Sequence, residues 1–158
     1  MQRSVFTLLC AAVLCCCTQT TVAQFDTTKT HWIAAPGTDT SGGATSYFTK
    51  RFTLKKKIRS AKLVITAHGL YEASINGHRI GSAYLTPGWT SYDRRLQYQE
   101  YDITDKYTPK NNRIEIIVND GWYCGTFGGD MQRNNYGNRH ALLATLQLQY
   151  TNGEAETI

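Results

Sequence analysis

A two-residue rhythm of apolar side chains constrains this chain more than any other feature. In "KLVITA" (residues 62–67), Leu63, Ile65 and Ala67 alternate with Val64 and Thr66. "RIEIIV" (113–118) sets Ile114, Ile116 and Val118 on one face. "LLATLQLQY" (142–150) groups Ala144, Leu146, Leu148 and Tyr150, with Gln147 and Gln149 opposite. "LQYQEYDI" (96–103) repeats the rhythm with Leu96 and Tyr98 against Gln97 and Gln99. Successive side chains of a strand point to opposite faces, so this rhythm calls for strands with one buried face. No segment carries apolar residues at three-and-four spacing over ten or more positions, which excludes long helices.

Turn residues divide these segments. "YEASI" (71–75), Asn76-Gly77 and "RIGSAYL" (79–85) read as a hairpin, because a type I′ turn needs positive φ at both central positions. Short antiparallel strands separated by such turns predict an all-β, jelly-roll-like β-sandwich. One helical turn is expected over "DITDKY" (102–107), with Thr104 or Asp105 as its cap. "AAPGTDTSGGATS" (34–46) reads as a surface loop before the first strand. A further strand is expected after the Asn152-Gly153 turn of "TNGEAETI", with only a few of its residues present, so the sandwich is read as lacking its last strand or strands.

Residues 1–24 break the pattern. Arg3 precedes an uncharged apolar run over 4–17, and a small polar tail follows, with Thr21 and Ala23 placed for cleavage. That layout is a secretory signal, too short for a membrane span. Cleavage near Ala23 is the favoured reading; lipidation of Cys17, three residues after Leu14, is the other. Both place the chain outside the cytoplasm: periplasm, cell surface or extracellular space. Residues 25–158 then form one domain of ordinary size. Four of the five cysteines (Cys10, Cys15, Cys16, Cys17) lie in the signal, so Cys124 can close no internal disulfide and offers no cysteine pair for zinc.

The formal charge of +5 is mild. Its densest run, "LKKKIRSAK" (54–62), reads as a solvated connection whose lysines block edge pairing. No nucleic-acid motif accompanies it, so no nucleic-acid partner is expected.

Five ordered blocks then resemble a known family. They are "HWIAAP" (31–36) with "YFTKRFTL" (47–54), "GLYEASINGHRIG" (69–81), "YLTPGWTSYDRRLQYQEYDIT" (84–104), "NDGWYCGTFGG" (119–129) and "NNYGNRHALLATLQLQYTNG" (134–153). Together they resemble the N-terminal region of bacterial α-L-rhamnosidases. The resemblance implies a non-catalytic β-sandwich of a large secreted glycosidase. Cleavage of terminal L-rhamnose from glycans and glycosides would belong to a downstream (α/α)₆ barrel with an inverting carboxylate pair. The implied partners are that barrel and a rhamnose-containing carbohydrate. Two other readings stay open: a stand-alone lectin-like module, and a structural docking domain with no ligand.

Sugars offer C–H faces that stack on aromatic rings, and hydroxyls that bond to Asp, Asn and Arg. Trp89, Tyr92 and Asp93 supply both chemistries in one loop, and Asn119, Asp120, Trp122 and Tyr123 supply them in another. Loops of a sandwich gather at its ends, so the two could share one surface. The competing reading makes Trp89 and Trp122 plugs between loop and sheet. Asp93, Asp120 and Asp130 have plainer roles as turn acceptors or ion-pair partners of Arg94, Arg95 or Arg133, and no motif pairs two of them for catalysis. His31, His68, His78 and His140 lack metal spacing, and Cys124 reads as a small buried side chain. Asn119, Asp120, Asp130 and Asn134 match no calcium loop, so no metal or cofactor is expected. The glycines of "GTFGG" (125–129) read as close backbone approaches rather than a phosphate cradle.

Overall fold

The computed structural model describes residues 30–36, 45–129 and 131–158. The signal reading over 1–24, the centre of the loop over 34–46, and Asp130 lie outside the described residues. Among the described residues, ten strands follow in order: β1 (Ser46–Phe52), β2 (Ile58–His68), β3 (Leu70–Ile75), β4 (His78–Arg79), β5 (Gln99–Asp102), β6 (Asn112–Asn119), β7 (Thr126–Phe127), β8 (Gln132–Arg133), β9 (Ala141–Tyr150) and β10 (Ala155–Thr157). They build two four-stranded sheets, β10-β9-β2-β5 and β1-β6-β3-β4, and a small β7–β8 ribbon. Every pairing is antiparallel. No helix among the described residues is long and apolar enough to cross a membrane.

The apolar rhythm fills the space between the sheets. Leu63, Ile65 and Ala67 of β2 and Leu142, Leu146 and Leu148 of β9 face Ala73, Ile75, Ile114, Ile116 and Val118 of the opposite sheet. Each leucine, isoleucine or valine among them contributes about 1.5–3 kcal/mol on burial. Val64 and Thr66, on the outer face of β2, are also buried. The segment before β5 covers Thr66, whose hydroxyl donates to the Gln97 carbonyl at 2.6 Å. That cover explains why β5 starts at Gln99 although the alternation begins at Leu96.

The Asn76-Gly77 hairpin forms as the sequence requires, with φ of 52° and 83°. Its return strand is shorter than expected. β4 spans two residues, after which the Ile80 N–H still reaches the Ala73 carbonyl at 2.8 Å. The Arg79 guanidinium then binds the Gly81 and Ala83 carbonyls at 2.9 and 2.7 Å, curling the chain away. Thr86 takes the place beside β3 instead, through reciprocal contacts with Tyr71 at 2.8 Å.

The expected helical turn over 102–107 is a plain turn. The Asp102 carboxylate accepts the Thr104 N–H at 2.9 Å, and Lys106 N–H reaches the Ile103 carbonyl at 3.0 Å. Ile103 and Thr104 are both tied to Ala61 of β2, so the backbone cannot wind further.

Asn112 is fully buried and organises the next connection. Its Oδ1 accepts from Thr108 N–H at 2.8 Å and from Asn76 Nδ2 at 3.0 Å, while its Nδ2 donates to the Thr108 carbonyl at 2.7 Å. Removing it strands those partners away from water. Asn112→Ala is expected to lower stability by about 2 kcal/mol in a urea titration, and Asn112→Asp at least as much at neutral pH, because a buried carboxylate oxygen would face the Thr108 carbonyl that Nδ2 now binds.

Candidate functional site

The connections β4–β5 and β6–β9 meet at one end of the sandwich. In the first, the Arg94 and Arg95 N–H groups both reach the Ser91 carbonyl, at 2.9 and 3.0 Å, and close a turn. Tyr92 Oη donates to the Gly88 carbonyl at 2.9 Å, and Gln99 Nε2 to the Pro87 carbonyl at 2.9 Å. The Arg95 guanidinium donates to Thr90 Oγ1 at 3.0 Å rather than to a carboxylate. These bonds fix the backbone under Trp89 while leaving the residue 56% exposed, so Trp89 does not plug the sandwich.

Tyr92 joins the two loops. Its ring meets Tyr123 edge-on at 5.4 Å and Tyr136 at 5.0 Å. Tyr123 in turn stacks on His68 at 3.8 Å with 8° between planes, and His68 stacks on Trp32 at 4.0 Å. Trp89 lies 5.6 Å from Phe127, so the second tryptophan-bearing loop contributes there as well. The result is an aromatic rim in which offset and edge-on contacts hold the rings in place. Burial between two rings pulls the His68 pKa down to about 4, so this imidazole is neutral at pH 7. Burial also raises the Tyr92 and Tyr123 phenols.

The candidate residues divide around this rim. Trp89 and Asp93 are exposed; Tyr92, Trp122 and Tyr123 are half-buried. Asn119 is exposed, and its Oδ1 accepts from Thr45 Oγ1 at 2.6 Å. Asp120 turns inward, bound to Arg133 at 2.7 Å and to His140 at 3.0 Å. Sequence reasoning missed Trp32, His68, Phe127 and Tyr136 as rim members. Only topology brings them together, although Trp32 and Phe127 stood inside quoted aromatic motifs.

Comparison with known proteins decides the family. A sequence model of the α-L-rhamnosidase N-terminal domain matches residues 56–158. The chain belongs to the α-L-rhamnosidase N-terminal domain family. An α-L-rhamnosidase of Streptomyces avermitilis is 47% identical over 103 residues, covering 65% of this chain and 10% of that protein. The crystal structure of a native α-L-rhamnosidase from Aspergillus terreus superposes with a TM-score of 0.77 at 38% identity, covering 80% of this chain and 15% of that one. The Streptomyces avermitilis enzyme, solved in complex with L-rhamnose, gives a TM-score of 0.69 at 43% identity, covering 74% of this chain and 11% of that one. The chain thus spans a small fraction of these relatives.

Within this rhamnosidase domain, Cys124 is buried, and its thiol points at the His68 carbonyl, 3.7 Å away. Burial first, and the Asp120 carboxylate second, push its pKa up to about 12, so it is no nucleophile at neutral pH. Gly137 lets Tyr123 pack close, since a Cβ there would lie 2.4 Å from the phenol ring.

Proposed function

We propose that this domain is the accessory N-terminal β-sandwich of an exported α-L-rhamnosidase, and that its aromatic rim contacts rhamnose-containing carbohydrate. Hydrolysis would be performed by the enzyme's (α/α)₆ barrel. The observation that carries the reading is the rim itself. Trp89 presents an exposed ring face on a backbone held by Gln97 and Tyr92, beside Asp93 and near Phe127. A rigid aromatic surface costs little conformational entropy when a flat sugar face stacks on it. The Asp120 carboxylate is committed to Arg133 and His140. That leaves it badly placed as the proton donor of a glycosidase pair.

Two results are expected. The purified chain releases no aryl alcohol from an aryl α-L-rhamnoside; turnover removed by Asp93→Asn or Asp120→Asn would overturn the accessory assignment. Trp89→Ala weakens rhamnoside binding roughly fivefold to tenfold, worth about 1 kcal/mol of ring contact, and leaves the melting temperature unchanged. Unchanged binding with an unchanged melting temperature would remove sugar contact from the account and favour a rim that faces the barrel.

A further inference from the structure

Beneath the rim, three side chains of different chemistry converge. Asp120 and Cys124 lie four residues apart in a loop that closes on itself, with Gly121 N–H donating to the Cys124 carbonyl at 2.7 Å. The closure is tight: a Cβ at Gly125 would lie 2.8 Å from the Gly121 carbonyl oxygen and 3.0 Å from Asp120 Cβ. His140 arrives from the residue before β9 and is 5% exposed. A carboxylate oxygen, the thiol sulfur and an imidazole nitrogen all fall within 4.8 Å of one another.

Donors around a tetrahedral ion with bonds of 2.0–2.3 Å sit about 3.3–3.6 Å apart. The Asp120 Oδ1 to His140 Nε2 distance of 3.0 Å is already close to that. The surroundings also fit. Ser46 Oγ lies 3.2 Å from His140 Nδ1, and Arg133 donates to the other Asp120 oxygen at 2.7 Å. Partners on the far side of an imidazole and a carboxylate are what orient metal ligands.

We propose that Asp120, Cys124 and His140 form a site for a zinc-class divalent ion, with the fourth position open to water. Thiolate, imidazole and carboxylate together suit zinc or cobalt, whereas calcium prefers an all-oxygen set. The ion sits between Asp120 Oδ1 and His140 Nε2, the neutral imidazole carries its one ring proton on Nδ1, and the thiol proton leaves to solvent. Ser46 Oγ then accepts from Nδ1–H, fixing the tautomer. One carboxylate and one thiolate balance the 2+ charge. The ion ties the loop carrying Trp122 and Tyr123 to the start of β9, so its role is to hold the rim rather than to cleave bonds. This proposal stands independently of carbohydrate binding.

The test uses the tag-free full chain with Cys10, Cys15, Cys16 and Cys17 changed to Ser, so that Cys124 is its one thiol. Cobalt(II) should produce a thiolate-to-metal charge-transfer band with intense tetrahedral d–d absorption, and zinc should displace it and raise the melting temperature. Calcium should do neither. Cys124→Ser should abolish the charge-transfer band and the zinc-dependent shift. Ser46→Ala keeps all three ligands and should weaken cobalt binding ~10-fold. The proposal is overturned if the parent chain shows neither the sulfur band nor a zinc-dependent shift. An unchanged cobalt affinity in both variants overturns it equally. Should Cys124→Ser not fold, the parent spectrum and the Ser46→Ala affinity decide.

Discussion

Gly69→Ala is expected to destabilise the domain by about 4 kcal/mol, the sum of a disfavoured backbone conformation and overpacking. Gly69 is the single residue between β2 and β3, which lie in different sheets. The chain therefore turns from one layer to the other in one step, at a φ of +137° that L side chains rarely adopt. A Cβ there would sit 2.5 Å from the Asn119 carbonyl oxygen and 2.8 Å from Val118 Cγ1. Both neighbours belong to the end of β6 that opens into the loop of Asp120 and Tyr123. The substitution should therefore lower the urea midpoint and also disturb the near-ultraviolet circular dichroism of the rim. A change below about 1 kcal/mol would mean that the corner is looser than described.

Ile65→Ala should cost about 3–4 kcal/mol, and Ile65→Val about 1 kcal/mol. Ile65 is 0% exposed and lies on the inner face of β2, between Gln99 of β5 and Ala144 of β9. Backbone pairing on both sides prevents β2 from collapsing into the space left behind, so most of the cavity persists. Equilibrium urea unfolding of the three proteins tests this. Equal losses for Val and Ala would show that the layers are not packed through this residue.

The fold was legible wherever one physical cause acted alone. The alternation in 62–67, 113–118 and 142–150 became β2, β6 and β9 because one face of each had to be buried. Asn76-Gly77 became a hairpin because few other pairs accept positive φ twice. The errors came where side chains competed with the ladder. Arg79 pulled residues 81 and 83 out of the return strand, and Gln97 gave its carbonyl to Thr66 rather than to a strand partner. The helical turn over 102–107 failed because Ile103 and Thr104 were held by Ala61, a contact 42 residues away in sequence for the first. The site was legible as two aromatic loops but not as one rim. His68 and Tyr123, or Asp120 and His140, become neighbours only after two sheets have stacked.

The most direct test of the central claim is a ¹⁵N–¹H correlation spectrum of the labelled chain titrated with L-rhamnose. The account predicts saturable shifts concentrated at the Trp89 indole N–H and at the backbone of residues 89–93 and 119–123, with the strands of both sheets unmoved. Shifts confined to the opposite end of the sandwich, or none at saturating sugar, would contradict it.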